Sequence, residues 1–331
     1  MEVRIDKKND NFTAFSVEYS LERFVDTFSM TFNNYAGMSS TKIPVGAVIE
    51  IFSQVLLFRG LAEKKNVSYN QVSTMDLSRE EILILTETDV DPKIPFKKTD
   101  NDIMKLLLEG YPRDLSLEKT IKEYSISRSM RIGQVLEDVA KMNDFVIYKR
   151  NTLYKRPRPE NAALHKGPKI FLNADDGKFY YSQDRIMSIE ITEDITAVRS
   201  QVVGYTYTSK AKAQAKMTLN NTQLQSGSYA SRIRNVSLKG YKINRINVLT
   251  PAKDAAELIS SLNVLRGDMT ARMIVTLYGI SNIELLDVVR VYVEQEKISQ
   301  EFYVREVVYN FDTSNKTTSR VTLAPFIKLS Q

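Results

Sequence analysis

Phe15, Val17, Tyr19 and Leu21 alternate with Ser16, Glu18, Ser20 and Glu22, and this two-residue period predicts a half-buried β-strand. Asp26 to Asn33 repeats it, with Phe28, Met30 and Phe32 on one face. Pro44-Val45-Gly46 is a turn signal ahead of a strand at Val48–Phe52. The polar pair Ser53-Gln54 then leads into Leu56–Ala62, so the two runs read as a hairpin. Ile82 to Leu85 is strand-sized.

From about Pro95 the period changes. Ile103, Leu106 and Leu107 are spaced for a helix, and Ile132, Val135, Leu136 and Val139 follow i, i+3, i+4, i+7, which predicts an amphipathic helix over 130–143. Strands at Phe145–Tyr148 and Thr152–Tyr154 follow, and together these segments read as a small α/β unit inserted between strands. Beyond Arg156-Pro157-Arg158-Pro159, strands are expected at Lys169–Leu172, Ile186–Ile191 and Val198–Tyr207. Residues 208–232 hold few large apolar groups and read as a flexible loop or exposed linker. Thr250-Pro251 opens a predicted helix over 251–266. The rest reads as strands at Arg272–Tyr278, Asp287–Val293, Glu301–Phe311 and Arg320–Leu323.

Two stretches share an order of elements. Val48–Phe52 followed by Leu57–Ala62 is matched by Val288–Tyr292 followed by Phe302–Val307. Two readings stay open: an internal duplication, giving two similar barrels, or the general likeness of any two β-hairpins.

Composition narrows the chemistry. The 331 residues suggest two or three domains of ordinary folded character, with 43% hydrophobic and 26% charged residues. No cysteine is present, which excludes a disulfide framework and a thiol nucleophile and fits assembly in a reducing cytoplasm. The lone histidine, His165, lies in the polar run Leu164–Pro168 and reads as an exposed loop residue. No cofactor or metal site is expected, because zinc needs several His or Cys ligands. No apolar run approaches the ~18 residues of a membrane span, and no targeting segment is visible. The carboxylate pairs Asp89-x-Asp91 and Asp175-Asp176-Gly177 are the residues from which glycosidase chemistry could be built, but Asp-Asp-Gly is above all a turn sequence.

Several of these segments carry a family resemblance. Phe15–Leu21 with Asp26–Phe32, Pro44–Phe52 with Phe58-Arg59-Gly60, Met130–Leu136 with Phe145–Tyr148, and Phe302–Val307 with Thr317–Pro325 resemble, in that order, the baseplate hub proteins of contractile phage tails, phage-tail-like bacteriocins and the type VI spike hub. The resemblance implies a mainly β fold with an inserted α/β unit: two similar β-barrel domains plus a small α/β domain. The first barrel is expected from 1–92 and 185–207, the α/β insertion from 93–184, and the second barrel from 208–331. It implies a virion structural protein, not an enzyme. The homotrimer would form a ring that adapts a hexameric tail tube to a trimeric spike, with tube, spike and other baseplate proteins as partners. The chain is expected to be assembled in the bacterial cytoplasm into a tail baseplate, with the spike on a separate polypeptide and direct DNA contact confined to the channel.

Charge adds one candidate surface. The net charge is +6, yet Ile195–Lys253 contains no Asp or Glu and ten basic residues. A solvated basic face, a contact with an acidic partner ring or neighbouring subunit, and a nucleic-acid surface all fit. Lys210, Lys212, Lys216, Arg232 and Arg234 are the candidate partner or channel contacts. The alternatives to a hub are a tail-associated cell-wall-degrading enzyme, supported only by the carboxylate pairs, and a nucleic-acid-binding module.

Overall fold

The computed structural model describes residues 2–6, 8–10, 12–21, 27–34, 43–53, 55–69, 71–78, 85, 88–90, 99–116, 130–142, 145–150, 152–157, 170–173, 186–192, 201–207, 212–218, 237–238, 241–242, 245–249, 272–279, 281, 283–293, 298–312 and 317–325. The chain divides into two units. The first comprises Met1–Arg156, Tyr278–Ser281 and Glu306–Arg320; the second comprises Pro157–Leu277, Asn282–Arg305 and Val321–Gln331.

Period-two alternation builds the first unit. Its strands are β1 (Glu2–Ile5), β2 (Lys8–Asp10), β3 (Ala14–Ser20), β4 (Thr27–Asn33), β5 (Val48–Ser53), β6 (Val55–Asn66) and β7 (Val72–Ser78). They are joined by the C-terminal part of the long β20 (Ile298–Asp312), in the order β20-β3-β4-β7-β6-β5-β1-β2, all antiparallel. Among the described strands this sheet runs open from β20 to β2. Phe28, Met30 and Phe32 are buried, as their shared face predicts. An aromatic cluster fills the core: Phe28 and Phe58 centroids lie 4.3 Å apart, Phe15 and Phe58 6.1 Å, Phe15 and Phe311 6.0 Å, and Tyr19 and Tyr309 6.1 Å. Burying each ring contributes roughly 1.5–3 kcal/mol.

The same unit holds the α/β segment. Helix α1 (Asp100–Leu107) begins where the Thr99 hydroxyl accepts the Asp102 amide proton, and Asp100 and Asp102 complement the positive end of its dipole. Helix α2 (Ile132–Met142) lies where the apolar spacing predicts it. A three-stranded sheet, β8 (Arg113–Leu115), β10 (Thr152–Pro157) and β9 (Phe145–Arg150) in that order, completes the segment. Its core gathers Ile103, Met104 and Leu107 from α1, Val135, Leu136 and Val139 from α2, and Ile147 and Leu153 from the sheet. Leu85 belongs to this core and is helical, not part of a strand as its apolar neighbours suggest; a short apolar run carries no period that separates the two states.

The second unit contains β11 (Ile170–Asn173), β12 (Ile186–Thr192), β13 (Gln201–Tyr207), β14 (Lys212–Thr218), β15 (Ser237–Leu238), β16 (Tyr241–Lys242), β17 (Arg245–Leu249), most of β18 (Arg272–Tyr278), β19 (Val288–Val293), and parts of β20 and β21 (Thr318–Pro325). One run of neighbours is β12-β18-β21-β20-β19, with β11 parallel to β19. A separate sheet is ordered β14-β13-β17. Strand β14 lies inside the segment read as a linker: Ala213, Ala215 and Met217 do alternate with polar residues, but alanine gives that period little weight. The predicted helix 251–266 lies outside the described residues.

One connection pattern occurs twice. The neighbours β3-β4-β7-β6-β5 and β12-β18-β21-β20-β19 follow the same order when numbered along the chain. The hydrogen bonds match as well. In the first set Ala47 N–H donates to Pro44 O, Gly46 N–H to Ala62 O, and Ala62 N–H to Ala47 O, at 3.2, 2.7 and 2.9 Å. In the second, Asp287 N–H donates to Glu284 O, Leu286 N–H to Val304 O, and Val304 N–H to Asp287 O, at 3.1, 2.9 and 2.9 Å. Just after β4, Asn34 N–H donates to Gln71 O; just after β18, Gly279 N–H donates to Thr317 O. Two arbitrary hairpins need not share these long-range bonds, so the likeness between the two stretches extends to a repeated five-strand unit.

Candidate functional site

The acid-free stretch contributes backbone to the β14-β13-β17 sheet. Lys212 pairs with Tyr207 and Lys216 with Val203 across β14 and β13, while Arg245 of β17 pairs with Gln201. Lys242 belongs to the β15–β16 pair, opposite Ser237. The sheet therefore carries Lys212 and Lys216 on one side of β13 and Arg245 on the other. Lys210, Arg232 and Arg234 lie outside the described residues.

Of the candidate carboxylate pairs, Asp89 alone lies among the described residues. Asp89 is exposed and forms an isolated antiparallel bridge with Arg131 just ahead of α2. That bridge is flanked by Val90 N–H donating to Met130 O and Ile132 N–H to Thr88 O, so it anchors the start of the helix. Asp91, His165 and Asp175-Asp176-Gly177 lie outside the described residues. Among the described residues no group of three or more His, Asp or Glu could hold a metal. A shallow hollow is lined by Phe15, Ser16, Ser29, Thr31, Asn310 and Asp312, with Ser16 Oγ donating to Asn310 Oδ1 at 2.8 Å. Among the described residues its lining holds one carboxylate, Asp312, and no second titratable side chain with which it could share general acid–base work.

Two features of the α/β segment escape the sequence pattern. Lys155 is fully buried, and its Nζ donates to Asp100 Oδ2 at 2.5 Å and Asn101 Oδ1 at 2.7 Å. Its carbonyl accepts from the Ser116 hydroxyl and amide, so one residue of β10 is tied to both α1 and the end of β8. At the surface, Arg156 bonds Asp114 and holds its carboxyl below the usual aspartate range. The two-residue period does place Lys155 on the face of Leu153, but a lysine there reads as exposed by its residue type, so the sequence alone hides its burial.

Exposed apolar residues mark a third feature. Val67 and Tyr69 are 50% and 68% exposed just beyond the end of β6, and Met187 of β12 is 55% exposed. These are large apolar groups next to strand edges, which soluble sheets usually blunt or cover.

No family model matches this sequence, and no curated protein does. Solved structures do. The tail protein from Neisseria meningitidis MC58 superposes with a TM-score of 0.71 at 12% identity, over 98% of this chain and 95% of that one. The 43 kDa tail protein of prophage MuSo2 from Shewanella oneidensis gives 0.71 at 12%, over 98% and 96%. This chain has the fold of phage tail proteins. The E. coli c3393 protein, a component of the type VI secretion system, is similar at a TM-score of 0.57 and 7% identity, over 100% of this chain and 80% of that one. The tail-protein fold spans both units of this chain, including the α/β segment, so the likeness is not that of a single shared sheet. On such a fold the surfaces to consider are strand edges and charged faces, and among the described residues no helix is long and apolar enough to cross a membrane.

Proposed function

We propose that this chain is a structural component of a phage-type tail baseplate, a hub that binds partners by shape and symmetry and turns over no substrate. Three copies form a ring between a hexameric tail tube and a trimeric spike. The observation that carries this reading is the repeated five-strand unit on a fold matched end to end by tail proteins. Two repeats per chain give a trimer six quasi-equivalent units, which is the arithmetic needed to meet six-fold and three-fold partners together. Each repeat is read as one of the two similar barrel domains, closed in the assembled ring.

The basic stretch fits a contact surface in that ring. Lys212 and Lys216 on β14, with Lys210, Arg232 and Arg234, would face an acidic tube or subunit surface, or line the channel crossed by DNA. Charge of one sign on a rim steers assembly more than it adds affinity.

Light scattering on the purified chain tests the reading: a mass of three chains, and a six-fold modulated ring in negative-stain averages, are expected. A chain that stays monomeric both alone and when mixed with the tube and spike proteins of the same particle removes the hub reading.

A further inference from the structure

The two repeats differ at one edge, and the difference indicates what covers it. Strand β3 has neighbours on both sides, β4 and the Glu306–Asp312 part of β20, all within the first unit. Its counterpart β12 has one neighbour among the described residues, β18. The covering strand shows the reciprocal difference. Past its pairing with β19, which ends at Tyr303, β20 continues and covers β3, with Phe311 opposite Phe15 and Tyr309 opposite Val17. Past its pairing with β5, which ends at Leu61, β6 also continues, to Asn66, and is followed by Val67-Ser68-Tyr69, where Ser68 O accepts from Asn34 Nδ2 at 3.2 Å; among the described residues no strand takes the place that β3 takes along β20.

The matched hydrogen bonds fix which residues correspond. Ala62 stands for Val304. Both strands then shift phase: β6 has an irregularity between Ala62 and Lys64, and in β20 the buried positions move from Phe302 and Val304 to Val307, Tyr309 and Phe311. Val67 thus corresponds to Tyr309, and Tyr69 to Phe311. On the receiving side Asn34 stands for Gly279, so Met30 and Phe28 stand for Val275 and Met273. Phe15 and Val17, opposite the first pair, therefore correspond to Ile189 and Ile191, opposite the second.

Burial follows the same comparison. Tyr309 and Phe311 are buried against Tyr19 and Phe15, while Val67 and Tyr69 are exposed. Phe15 and Val17 are buried, while Ile189 and Ile191 are only half-buried. In sequence, Val67 follows Lys64-Lys65, and β12 runs on into Glu193-Asp194, of opposite sign.

We propose that Val67–Tyr69 of one copy pairs antiparallel with β12 of a second copy of this chain, Val67 opposite Ile191 and Tyr69 opposite Ile189. The pairing repeats between chains what β20 and β3 do within one. It extends β6 by three residues, adds ladder hydrogen bonds for affinity and sets alternate side chains into register for specificity. Because the two edges differ, the contact is head-to-tail, and successive contacts close a ring. The inference rests on the ring reading and names its interface.

The chain has no cysteine, so introduced pairs report cleanly. Directly opposed antiparallel residues have the Cα separation that a disulfide spans. Under mild oxidation the Tyr69→Cys/Ile189→Cys double variant is expected to give reducible covalent dimers and trimers. The out-of-register Val67→Cys/Met187→Cys variant and each single variant are expected to stay uncrosslinked. Tyr69→Lys with Val67→Lys, at sites exposed in the single chain, is expected to keep the unfolding midpoint and weaken association at least tenfold. A trimer by light scattering that yields no specific crosslink, or that tolerates both lysines, overturns this interface and leaves the ring standing. A chain that never associates, with or without its tail partners, overturns both.

Discussion

The amide of Gly46 donates to Ala62 O at 2.7 Å and the amide of Leu286 donates to Val304 O at 2.9 Å, and the two residues hold the same left-handed position, φ +87° and +66°, in two copies of one turn. Glycine adopts that conformation without a Cβ penalty; leucine pays roughly 1–2 kcal/mol for it. The turn is therefore set by the long-range hydrogen bonds and hairpin around it rather than by its own residue.

This relationship predicts opposite outcomes for two small changes. A Cβ at Gly46 would meet nothing within 4 Å, so Gly46→Ala carries the backbone cost alone and should lower stability by about 1–2 kcal/mol. Leu286→Gly should stay within about 1 kcal/mol of the parent, since relieved strain offsets added chain entropy. Urea midpoints for both variants make the comparison; equal losses would show that the turn does not impose the conformation.

Breaking the buried ion pair should be costly in a specific way. Lys155→Met removes the ammonium that neutralises the buried Asp100 carboxylate, with an expected loss of about 3–5 kcal/mol. Removing the carboxylate as well, in Asp100→Ala/Lys155→Met, should recover at least half of that. A double-mutant cycle on thermal or urea unfolding reads the coupling, and additive losses would mean that the pair acts only as packing.

The Asp114–Arg156 contact should appear in a titration more than in stability. The Arg156 hydrogen bond depresses the folded-state value, so any stabilisation is present above the ordinary aspartate range and lost as pH falls through the depressed value. The pair is solvent-exposed, and its contribution is accordingly small and weakened by salt. Carboxyl NMR should show the Asp114 midpoint rising toward normal in Arg156→Gln, with little change in the unfolding midpoint at neutral pH.

Truncation in the aromatic cluster should behave like a core mutation. Phe28 is fully buried, with Phe58 and Tyr19 within ring-contact range, and Phe28→Ala is expected to lose about 3–5 kcal/mol by calorimetry or urea unfolding. A loss below 1 kcal/mol would place the weight of the first sheet elsewhere.

Strand alternation and helical spacing made much of this fold legible. Phe28, Met30 and Phe32 display their buried face openly, and Ile132, Val135, Leu136 and Val139 announce α2. Short or polar strands did not: β1 alternates cleanly but over only four residues, β7 and β14 carry too little apolar contrast to stand out, and their pairing is decided by neighbours distant in sequence. The second hairpin resembled the first only loosely as text, because the repeat is conserved in hydrogen-bond geometry while Gly46 and Leu286 differ in residue type. The candidate surface was legible as a gap in acidic residues but not as a strand edge. Val67 and Tyr69 acquire meaning only beside Tyr309 and Phe311, their buried counterparts.

The bond from Ser16 to Asn310 spans 294 residues. Strand β3 therefore leaves the ribosome well before the strand that covers it. Synthesis at roughly 5–20 residues per second leaves that edge waiting for tens of seconds. During this time the first sheet can gather β4 to β7 but cannot be completed, and a neighbouring chain further along in synthesis offers the same missing strand. Such a chain is expected to depend on holding factors during translation, and its yield to fall steeply with expression rate, even though the finished sheet is well packed.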